Sequence, residues 1–453
     1  MALLAASVLV AGCLQAPDAV PVAPASVAER PGPEPSASAF GHPREDDPPE
    51  APGPSGEPQG TPTTPPGKPT AAEAGEAAED DRSEPAYPEA WTRPPKRPLP
   101  EPLAGLQHLA STPVPGGAGI ATFGHYAFVG DYSPSHLYVV DIMDPAKPRV
   151  VAEMADVPVR DADVIAYPDG RLVLVTASGG SQFWITDVSE PTSPTLLGTV
   201  TTHDTNHNLA VVPGTPLVYN APSGGSTTDI WDLTDPEAPI HVKDWDSGGN
   251  CHDVSFLVDV EAGLFRGYCA AMHEVQIWDI ADPRSPTVVS RIPFPVAGVE
   301  GLGGVTPVSF AHLAIANQDG TVLIVGDETG GGLANGCDVY AEAAGSTLSG
   351  PLGNLWFYDI SDEKDPVLKG RVSPSAPEGG LQCTAHFGRV IEDTDHLVMG
   401  FYQAGVLLID FTDLENPRIV DAYDGGSVWD AWYYQGYVFT GDMSRGMDVL
   451  TFR

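Results

Sequence analysis

Several side chains able to bind a metal recur at similar places in segments of this chain that repeat. Aligning the first apolar run of each segment superposes Asp163, His207, His252, His312, His386 and Asp430. Imidazole nitrogens and carboxylate oxygens are good ligands for Zn²⁺, Cu²⁺, Fe²⁺ or Mn²⁺, whereas Ca²⁺ prefers a shell of oxygen atoms. Glu328, at the end of the second run of the fifth segment, can add a carboxylate from the edge. The pattern predicts a divalent transition-metal site or a polar-ligand site.

A purely structural role for these side chains is the alternative. A histidine that recurs in a repeat protein can serve as a hydrogen-bonding strut, bonded to a Ser, Thr or Asp neighbour. Imidazole binds an ion at ~2.1 Å, so histidines on opposite sides of a wide channel are too distant to share one. Of the neighbouring pairs, His207 and His252 are the pair we expect to lie closest.

The repeats themselves indicate the architecture. An apolar run, an Asp and a following Pro recur together, with the Asp at positions 141, 187, 232, 279, 359 and 410. Most of these spacings are about 45 residues, which is typical of a four-stranded β-propeller blade. The longest interval is one blade with an insertion, mostly residues 330–351. With β-branched and aromatic strands divided by Gly, Asp and Pro turns, the sequence predicts an all-β, seven-bladed β-propeller.

The ends of the domain predict how the ring closes. The chain finishes on a third strand, MDVLTF, with Thr451 in the Asp position, so the last blade lacks its outermost strand. Leu106 to Pro113 resembles the outermost strands of other blades. Pairing it with the last blade removes two exposed edges. We therefore expect a propeller over residues 104–453, with the aligned histidines lining its central channel.

The repeats resemble the LVIVD repeats of bacterial and archaeal surface proteins, on segments such as LYVVDIMDPAKP, VQIWDIADPRSP and VLLIDFTDLENP. The later part is similar to the choice-of-anchor B family, on Asn206-His207-Asn208, Cys251-His252-Asp253, His312, Gly326-Asp327-Glu328 and Ala385-His386. The resemblance implies a cell-surface propeller of largely unknown function. This chain departs from that family in lacking a histidine in the inner strand of its last blade.

The N-terminal run MALLAASVLVAGC is too short to span a bilayer as a helix. Its end resembles the bacterial lipobox, which implies a signal peptide over residues 1–13 and lipidation of Cys13. An ordinary secretory signal is the alternative, because no Lys or Arg precedes the apolar run. Residues 14–103 are rich in Pro, Ala and Glu, which predicts a disordered tether. We expect a lipoprotein anchored in the cell envelope, at the outer membrane or cell surface.

Four cysteines remain after Cys13, an even number that suits an oxidising compartment. Cys251 and Cys269 face each other if the strands around Val258 to Gly263 form a hairpin, so we prefer that disulfide. Elimination then pairs Cys337 with Cys383. Free buried thiols or a metal site are the alternatives.

Charge and missing motifs restrict the function. The chain has 61 acidic and 22 basic residues, a formal charge of −39, which argues against nucleic acid as a partner. It lacks the Gly-x-Ser-x-Gly, His-Glu-x-x-His and P-loop signatures. We expect an interaction scaffold that binds a protein or glycan through its loops, with the insertion as a candidate contact. The alternative is a metal-dependent enzyme, an oxidase or hydrolase, that uses the histidines.

Overall fold

The computed structural model describes residues 93–131, 135–225, 227–294, 308, 310–328, 353–374, 383–424 and 426–453. Within these ranges the chain forms seven four-stranded antiparallel sheets, so the predicted seven-bladed β-propeller is confirmed. The expected signal peptide with Cys13, most of the expected tether, and the insertion with Cys337 lie outside the described residues. No helix in the described ranges is long and apolar enough to cross a membrane.

The strands follow one another blade by blade. The closing strand is β1 (Leu106–Thr112). Blade 1 contains β2 (Gly117–Phe123), β3 (Tyr126–Asp131), β4 (His136–Asp141) and β5 (Arg149–Ala155). Blade 2 contains β6 (Asp161–Ala166), β7 (Leu172–Ala177), β8 (Gln182–Asp187) and β9 (Thr195–Thr201). Blade 3 contains β10 (Asn208–Val211), β11 (Leu217–Ala221), β12 (Thr228–Asp232) and β13 (Ile240–Trp245). Blade 4 contains β14 (Asp253–Asp259), β15 (Leu264–Ala270), β16 (Glu274–Asp279) and β17 (Thr287–Pro293).

The remaining blades have the same order. Blade 5 contains β18 (Ala311–Ala316), β19 (Val322–Asp327), β20 (Leu355–Asp359) and β21 (Val367–Val372). Blade 6 contains β22 (Gly388–Val390), β23 (His396–Gly400), β24 (Val406–Asp410) and β25 (Arg418–Tyr423). Blade 7 contains β26 (Val428–Tyr434), β27 (Tyr437–Asp442) and β28 (Met447–Phe452). The first strands contact one another in the order β2, β6, β10, β14, β18, β22, β26 and back to β2, which encloses a central channel.

The repeated Asp has a local structural role. It ends the third strand of six blades, and its carboxylate accepts the N–H two residues further on. In blade 2, for example, Ser189 N donates to Asp187 Oδ1 at 2.8 Å. Such a side-chain turn reverses the chain toward the fourth strand without a backbone partner. The sequence repeat therefore reflects a repeated Asx turn.

Aromatic and aliphatic side chains fill the space between neighbouring blades. Trp278 of blade 4 is fully buried, and its ring centroid lies 4.5 Å from that of Trp245 in blade 3. Tyr219 of blade 3 packs edge-on against Phe256 of blade 4, at 5.0 Å between centroids. Large rings suit this wedge-shaped space, because one aromatic side chain from each of two neighbouring blades is enough to bury a large apolar area. Packing between sheets thus fixes each inner strand relative to the next.

The predicted closure of the ring is confirmed. Strand β1 pairs antiparallel with β28 as the outermost strand of blade 7, from Leu106 opposite Phe452 to Thr112 opposite Met447. Leu106 is buried, and its N–H donates to Asp421 Oδ2 of blade 6 at 2.8 Å. The N-terminal strand therefore joins the last two blades.

The start of the folded domain differs from the sequence expectation, which assigned residues up to 103 to the tether. Arg97 N donates to Gln435 O at 2.9 Å, and Ala104 N donates to Arg453 O at 2.8 Å. Leu99 and Leu103 pack against the apolar cluster of blades 6 and 7. These contacts place residues 93–103 in the folded domain. The Pro-rich composition of the segment gave no indication of these two apolar contacts.

Candidate metal centre

All four predicted histidines meet in the central channel. They come from consecutive blades 3 to 6, and each lies at or near the start of an inner strand. Ring centroids are 4.3 Å apart for His207 and His252, 4.4 Å for His252 and His312, and 4.1 Å for His312 and His386. His252, His312 and His386 are only 3%, 1% and 0% exposed, whereas His207 is half-buried. The histidines form a continuous row, the histidine cluster.

Glu328 joins this cluster, as the sequence predicted it would. It follows β19 directly and places its carboxylate between two rings, with Oε2 3.7 Å from His312 Nε2 and Oε1 3.5 Å from His386 Nε2. The hydroxyl of Tyr402 donates to Oε1. Glu328 is 4% exposed, so it is a buried acid next to buried imidazoles.

Asp327 holds the chain that presents Glu328. Its two carboxylate oxygens accept the N–H groups of Phe310 and Gly353, each at 2.9 Å. Glu328 N also donates to Phe310 O at 2.9 Å. These bonds connect the end of β19 to the segments beside it, so the backbone under Glu328 is fixed before any ligand binds.

His252 and His386 each use one ring nitrogen for the scaffold and leave the other without a hydrogen bond. His386 Nδ1 donates to Trp429 O at 2.7 Å, and because a carbonyl only accepts, Nε2 of neutral His386 carries a lone pair. His252 Nδ1 bonds Ser223 Oγ. Among the described residues, His207 Nε2, His252 Nε2, His312 Nδ1 and His386 Nε2 are buried and lack a hydrogen-bond partner. The strut interpretation therefore accounts for only part of the arrangement.

Three donors in the cluster lie close enough to share an ion. One ligand atom each from His252, His312 and Glu328 lies within 4.8 Å of the other two. Ligands on opposite sides of an ion at about 2.1 Å are about 4.2 Å apart. The three donors would therefore have to move closer together, by side-chain rotation, to bind one metal ion.

Burial sets the protonation of the cluster. It lowers the pKa of His207 to about 3 and the pKa values of His252, His312 and His386 well below 6.5, with neighbouring positive charge acting in the same direction. Burial also raises the pKa of Glu328 to about 7, although the hydrogen bond from Tyr402 opposes this. The imidazoles are consequently neutral near pH 7, the form that binds metals.

In blade 2 the position equivalent to the histidines belongs to Arg160 and not, as the alignment had it, to Asp163. Arg160 N donates to the carbonyl that ends the second strand of its blade, just as His207 N and His252 N do in theirs. Asp163 lies three residues further along, and its carboxylate accepts Val211 N of blade 3 at 2.9 Å. Asp163 therefore joins two inner strands and lies outside the histidine cluster.

Asp430 is also wrongly placed by the alignment. The pairing of β26 with β27 shifts between Val428 and Asp430, so Trp429 is the bulged residue and lies next to the cluster. Trp429 packs on His386 with 4.0 Å between ring centroids. Asp430 instead accepts a backbone hydrogen bond from Ile120, and burial raises its pKa to about 6. Because of this bulge, the residue next to the cluster is Trp429, one position before the Asp430 that counting along the strand assigned to it.

The ring of channel side chains is completed by Arg160 and Trp429. The Arg160 guanidinium lies over the Trp429 ring, 4.8 Å from its centroid. Blade 1 contributes no side chain here, because a Cβ on Gly119 would lie 2.6 Å from Arg160 O. The channel ring therefore consists of Arg160, His207, His252, His312, His386 and Trp429.

A separate cavity of about 350 Å³ is lined by other inner-strand residues, including Asp161, Asp163 and Asp253 but none of the four histidines. Arg389 also lines it and stacks over Trp432 at 4.0 Å from the ring centroid. Burial raises the pKa of Asp161 and of Asp253, and repulsion from nearby carboxylates adds to the effect. Asp161, Asp163 and Asp253 thus line a cavity that the four histidines do not line.

A disulfide lies next to the cluster. Cys251 and Cys269 are bonded across the hairpin of β14 and β15, with Cα atoms 5.5 Å apart. Because Cys251 directly precedes His252, the bond restrains the backbone that carries this histidine. Cys383 is disulfide-bonded as well, while Cys337, its expected partner, lies outside the described residues.

Comparison with known proteins agrees with the blade pattern. The model for the LVIVD repeat matches residues 117–156 and 176–202, which cover blade 1 and the outer half of blade 2. The chain is therefore a β-propeller that contains LVIVD repeats. No curated protein matches this LVIVD-repeat propeller significantly in sequence.

Solved structures are similar to the LVIVD-repeat propeller in fold. The Cps50 (Swd1) β-propeller domain of Myceliophteria thermophila has a TM-score of 0.54 and 8% identity, covering 76% of this chain and 99% of that one. The WD40 repeats of RRP9 have a TM-score of 0.54 and 10% identity, covering 77% and 97%. At such low identity these likenesses concern the fold alone.

Proposed function

We propose that this LVIVD-repeat propeller is a binding scaffold of the cell envelope that holds one divalent transition-metal ion at His252, His312 and Glu328. The observation that carries the proposal is the convergence of these three buried side chains, with ligand atoms within 4.8 Å of one another. His386 lies beside them, with a lone pair on Nε2 that can complete the site.

The unused ring nitrogens favour a metal site over a polar network. A buried polar atom without a partner costs about 1–3 kcal/mol, and several such atoms meet in this cluster. A bound ion would compensate for this cost. The bonds from His386 Nδ1 to Trp429 O and between His252 Nδ1 and Ser223 Oγ resemble the outer contacts that orient metal-binding imidazoles.

The donor set restricts which ion fits. Two imidazoles and one carboxylate suit Zn²⁺ and also Fe²⁺, Mn²⁺ or Co²⁺. The nitrogen donors disfavour Ca²⁺ and Mg²⁺, which prefer oxygen. No cysteine thiolate belongs to the group of His252, His312 and Glu328, so a soft ion such as Cu⁺ is also disfavoured.

Burial favours a binding role over turnover of a bulky substrate. His252, His312 and Glu328 are all closed off from solvent, and only the half-buried Arg160 and His207 side of the channel ring is more open. The metal would therefore bind within a rigid propeller whose outer loops remain free to contact a protein or glycan. An oxidase or hydrolase would need wider access to the ion.

The location is also part of the proposal. The lipobox resemblance at Cys13, together with a Pro-rich segment before the propeller, supports a lipid anchor in the envelope membrane and a spacer. The formal charge of −39 supports an exported, well-solvated protein rather than a nucleic-acid partner. The resemblance of the later part of the chain to the choice-of-anchor B family supports the same placement at the outer membrane or cell surface.

Elemental analysis tests the metal assignment. Protein purified from the envelope without chelator should contain about one equivalent of a divalent transition metal per chain, and chelated protein should rebind Zn²⁺ by calorimetry. The His273→Ala variant is the control, because His273 is exposed, and it should bind equally well. A metal-free wild type that also fails to bind added Zn²⁺, Fe²⁺, Mn²⁺ or Co²⁺ would refute the proposal.

A further inference from the structure

The proposed metal site leaves unused the cavity of about 350 Å³ between the inner strands. Small-molecule sites commonly have volumes of about 300–1,000 Å³, so this cavity suits a small ligand. Most of the described residues that line it are apolar, among them Leu209, Phe256, Leu313 and Phe387. Apolar walls with a few charged side chains are the usual form of a site for a small organic molecule.

Of the three aspartates among the described lining residues, two connect neighbouring blades. Asp161 Oδ2 accepts Leu209 N at 3.0 Å, and Asp163 Oδ2 accepts Val211 N at 2.9 Å. Both bonds run from the inner strand of blade 2 to that of blade 3. These two carboxylates therefore have a structural role that explains their presence.

The third aspartate, Asp253, has no such role. It begins β14, as Asp161 begins β6 and Asn208 begins β10. Asn208 Nδ2 donates to His252 O of the next blade at 2.9 Å, so it connects blades as Asp161 does. Within the described ranges the Asp253 carboxylate makes no bond to blade 5, and it accepts only the N–H of Val254, the next residue. It is 6% exposed, so a buried carboxylate at the cavity has room for a further donor.

Arg389 supplies the opposite charge at the same cavity. It lies on β22 of blade 6, and its guanidinium stacks over the Trp432 ring at 4.0 Å from the centroid. Nη1 donates to Gly388 O at 2.8 Å. These contacts orient the guanidinium, which forms no ion pair with any carboxylate in the described part of the chain. A guanidinium has five N–H donors, so Arg389 can also bind an anionic group of a ligand.

We propose that this cavity binds a small amino acid with an apolar body, with its ammonium group at Asp253 and its carboxylate at Arg389. The inner strand of blade 5 lies between the blades that carry these two residues, and its Leu313 and Ile315 also line the cavity. The apolar part of the ligand packs there. The ammonium donates to the buried carboxylate, and the planar guanidinium matches the two oxygens of the ligand's carboxylate. No proposed metal ligand is among the described lining residues, so the two proposals are independent.

Calorimetric titration of the chelated full-length protein tests this site. The probes are L-leucine, L-phenylalanine and 6-aminohexanoate, which differ in shape and in the separation of their charges. At least one should bind with one site per chain. The matching amine and the matching carboxylate, such as 3-methylbutylamine and 4-methylpentanoate for leucine, should bind at least tenfold more weakly, because each lacks one of the two charge-assisted contacts.

Two variants assign the contacts. Asp253→Asn should weaken binding of the amino acid at least tenfold and leave the affinity for the matching carboxylate unchanged. Arg389→Gln should weaken binding of the amino acid to a similar extent and leave the affinity for the matching amine unchanged. Asp259→Asn, at the exposed end of the strand that carries Asp253, and Arg418→Gln, on the outermost strand of blade 6, are the controls and should bind like the wild type.

Several results would overturn the proposal. A wild type that binds none of the three amino acids has no such site, and one that binds the amine or the carboxylate as tightly as the amino acid does not recognise both charges. Unchanged affinity in either Asp253→Asn or Arg389→Gln also counts against it. Thermal unfolding checks that each variant is folded, and Arg389→Gln with the two analogues provides the test if Asp253→Asn does not fold. Because the protein is chelated, none of these results bears on the metal proposal.

Discussion

Replacing His312 by Ala should reduce metal affinity by at least about 100-fold, since even the loss of an outer contact to a metal ligand costs 10- to 100-fold. His312 is the central member of the histidine cluster, because its ring contacts those of both His252 and His386. It is also one of the three residues whose ligand atoms converge. Calorimetric titration of chelated protein with Zn²⁺ measures the effect.

Matched variants separate ligand loss from a packing defect. Glu328→Gln keeps the size of the side chain and the acceptor for Tyr402 but removes the charge, so metal affinity should fall while the metal-free protein stays folded. Zn²⁺ at 100 times the wild-type Kd should stabilise the wild type by about 2.7 kcal/mol and His312→Ala by about 0.4 kcal/mol or less. If both variants bind Zn²⁺ like the wild type, the histidine cluster is a structural network and no metal site.

Deleting β1 (Leu106–Thr112) should destabilise the whole ring and not blade 7 alone. The deletion removes the outermost strand of that blade, the buried Leu106 side chain and the link from Leu106 N to Asp421. Losing a buried leucine alone costs about 2–5 kcal/mol. The β28 edge is then unpaired, so we also expect self-association. Urea unfolding and light scattering measure the two effects.

A peptide covering residues 93–113 provides the rescue for this deletion. Added in trans, it should pair with β28 and restore stability, because strand addition to an open edge recovers the main-chain hydrogen bonds. Leu109→Lys in the intact chain is the control, since Leu109 is 36% exposed and should tolerate the charge. A deletion variant that unfolds at the same urea concentration as the wild type would show that closure does not depend on β1.

The sequence predicted the architecture because the constraints on it are repeated. Each repeated Asp closes an Asx turn, as Asp187 does with Ser189, so one local interaction appears six times in the sequence. Closure through Leu106 to Pro113 followed from the missing strand of the last blade. Such features can be read from one chain, because they depend on spacing and on the need to pair strand edges.

The candidate site was predictable only in part. The four histidines and Glu328 meet as expected, but a one-residue bulge before Asp430 turned Trp429 toward the cluster. Counting along a strand cannot detect a bulge, because the extra residue shows only in the pairing. The assignment of Asp163 was wrong for a related reason, because the equivalent position is that of Arg160, three positions earlier in the chain.

Arg160 itself carried a signal that alignment on histidine and aspartate overlooked. It precedes Asp161 at the start of an inner strand, just as His207 precedes Asn208 and His252 precedes Asp253. Aligning the blades on that second polar residue places Arg160 with the two histidines. Its role in the channel ring still depends on its stacking over Trp429, from a blade distant in sequence, which only the folded ring brings near.

Anomalous X-ray diffraction from crystals of the Zn²⁺-loaded protein tests the central claim most directly. The account predicts one strong peak at the zinc edge within about 2.0–2.2 Å of donor atoms from His252, His312 and Glu328. A map without a peak in the channel, with ordered waters bonded to the ring nitrogens of the histidine cluster instead, would contradict it.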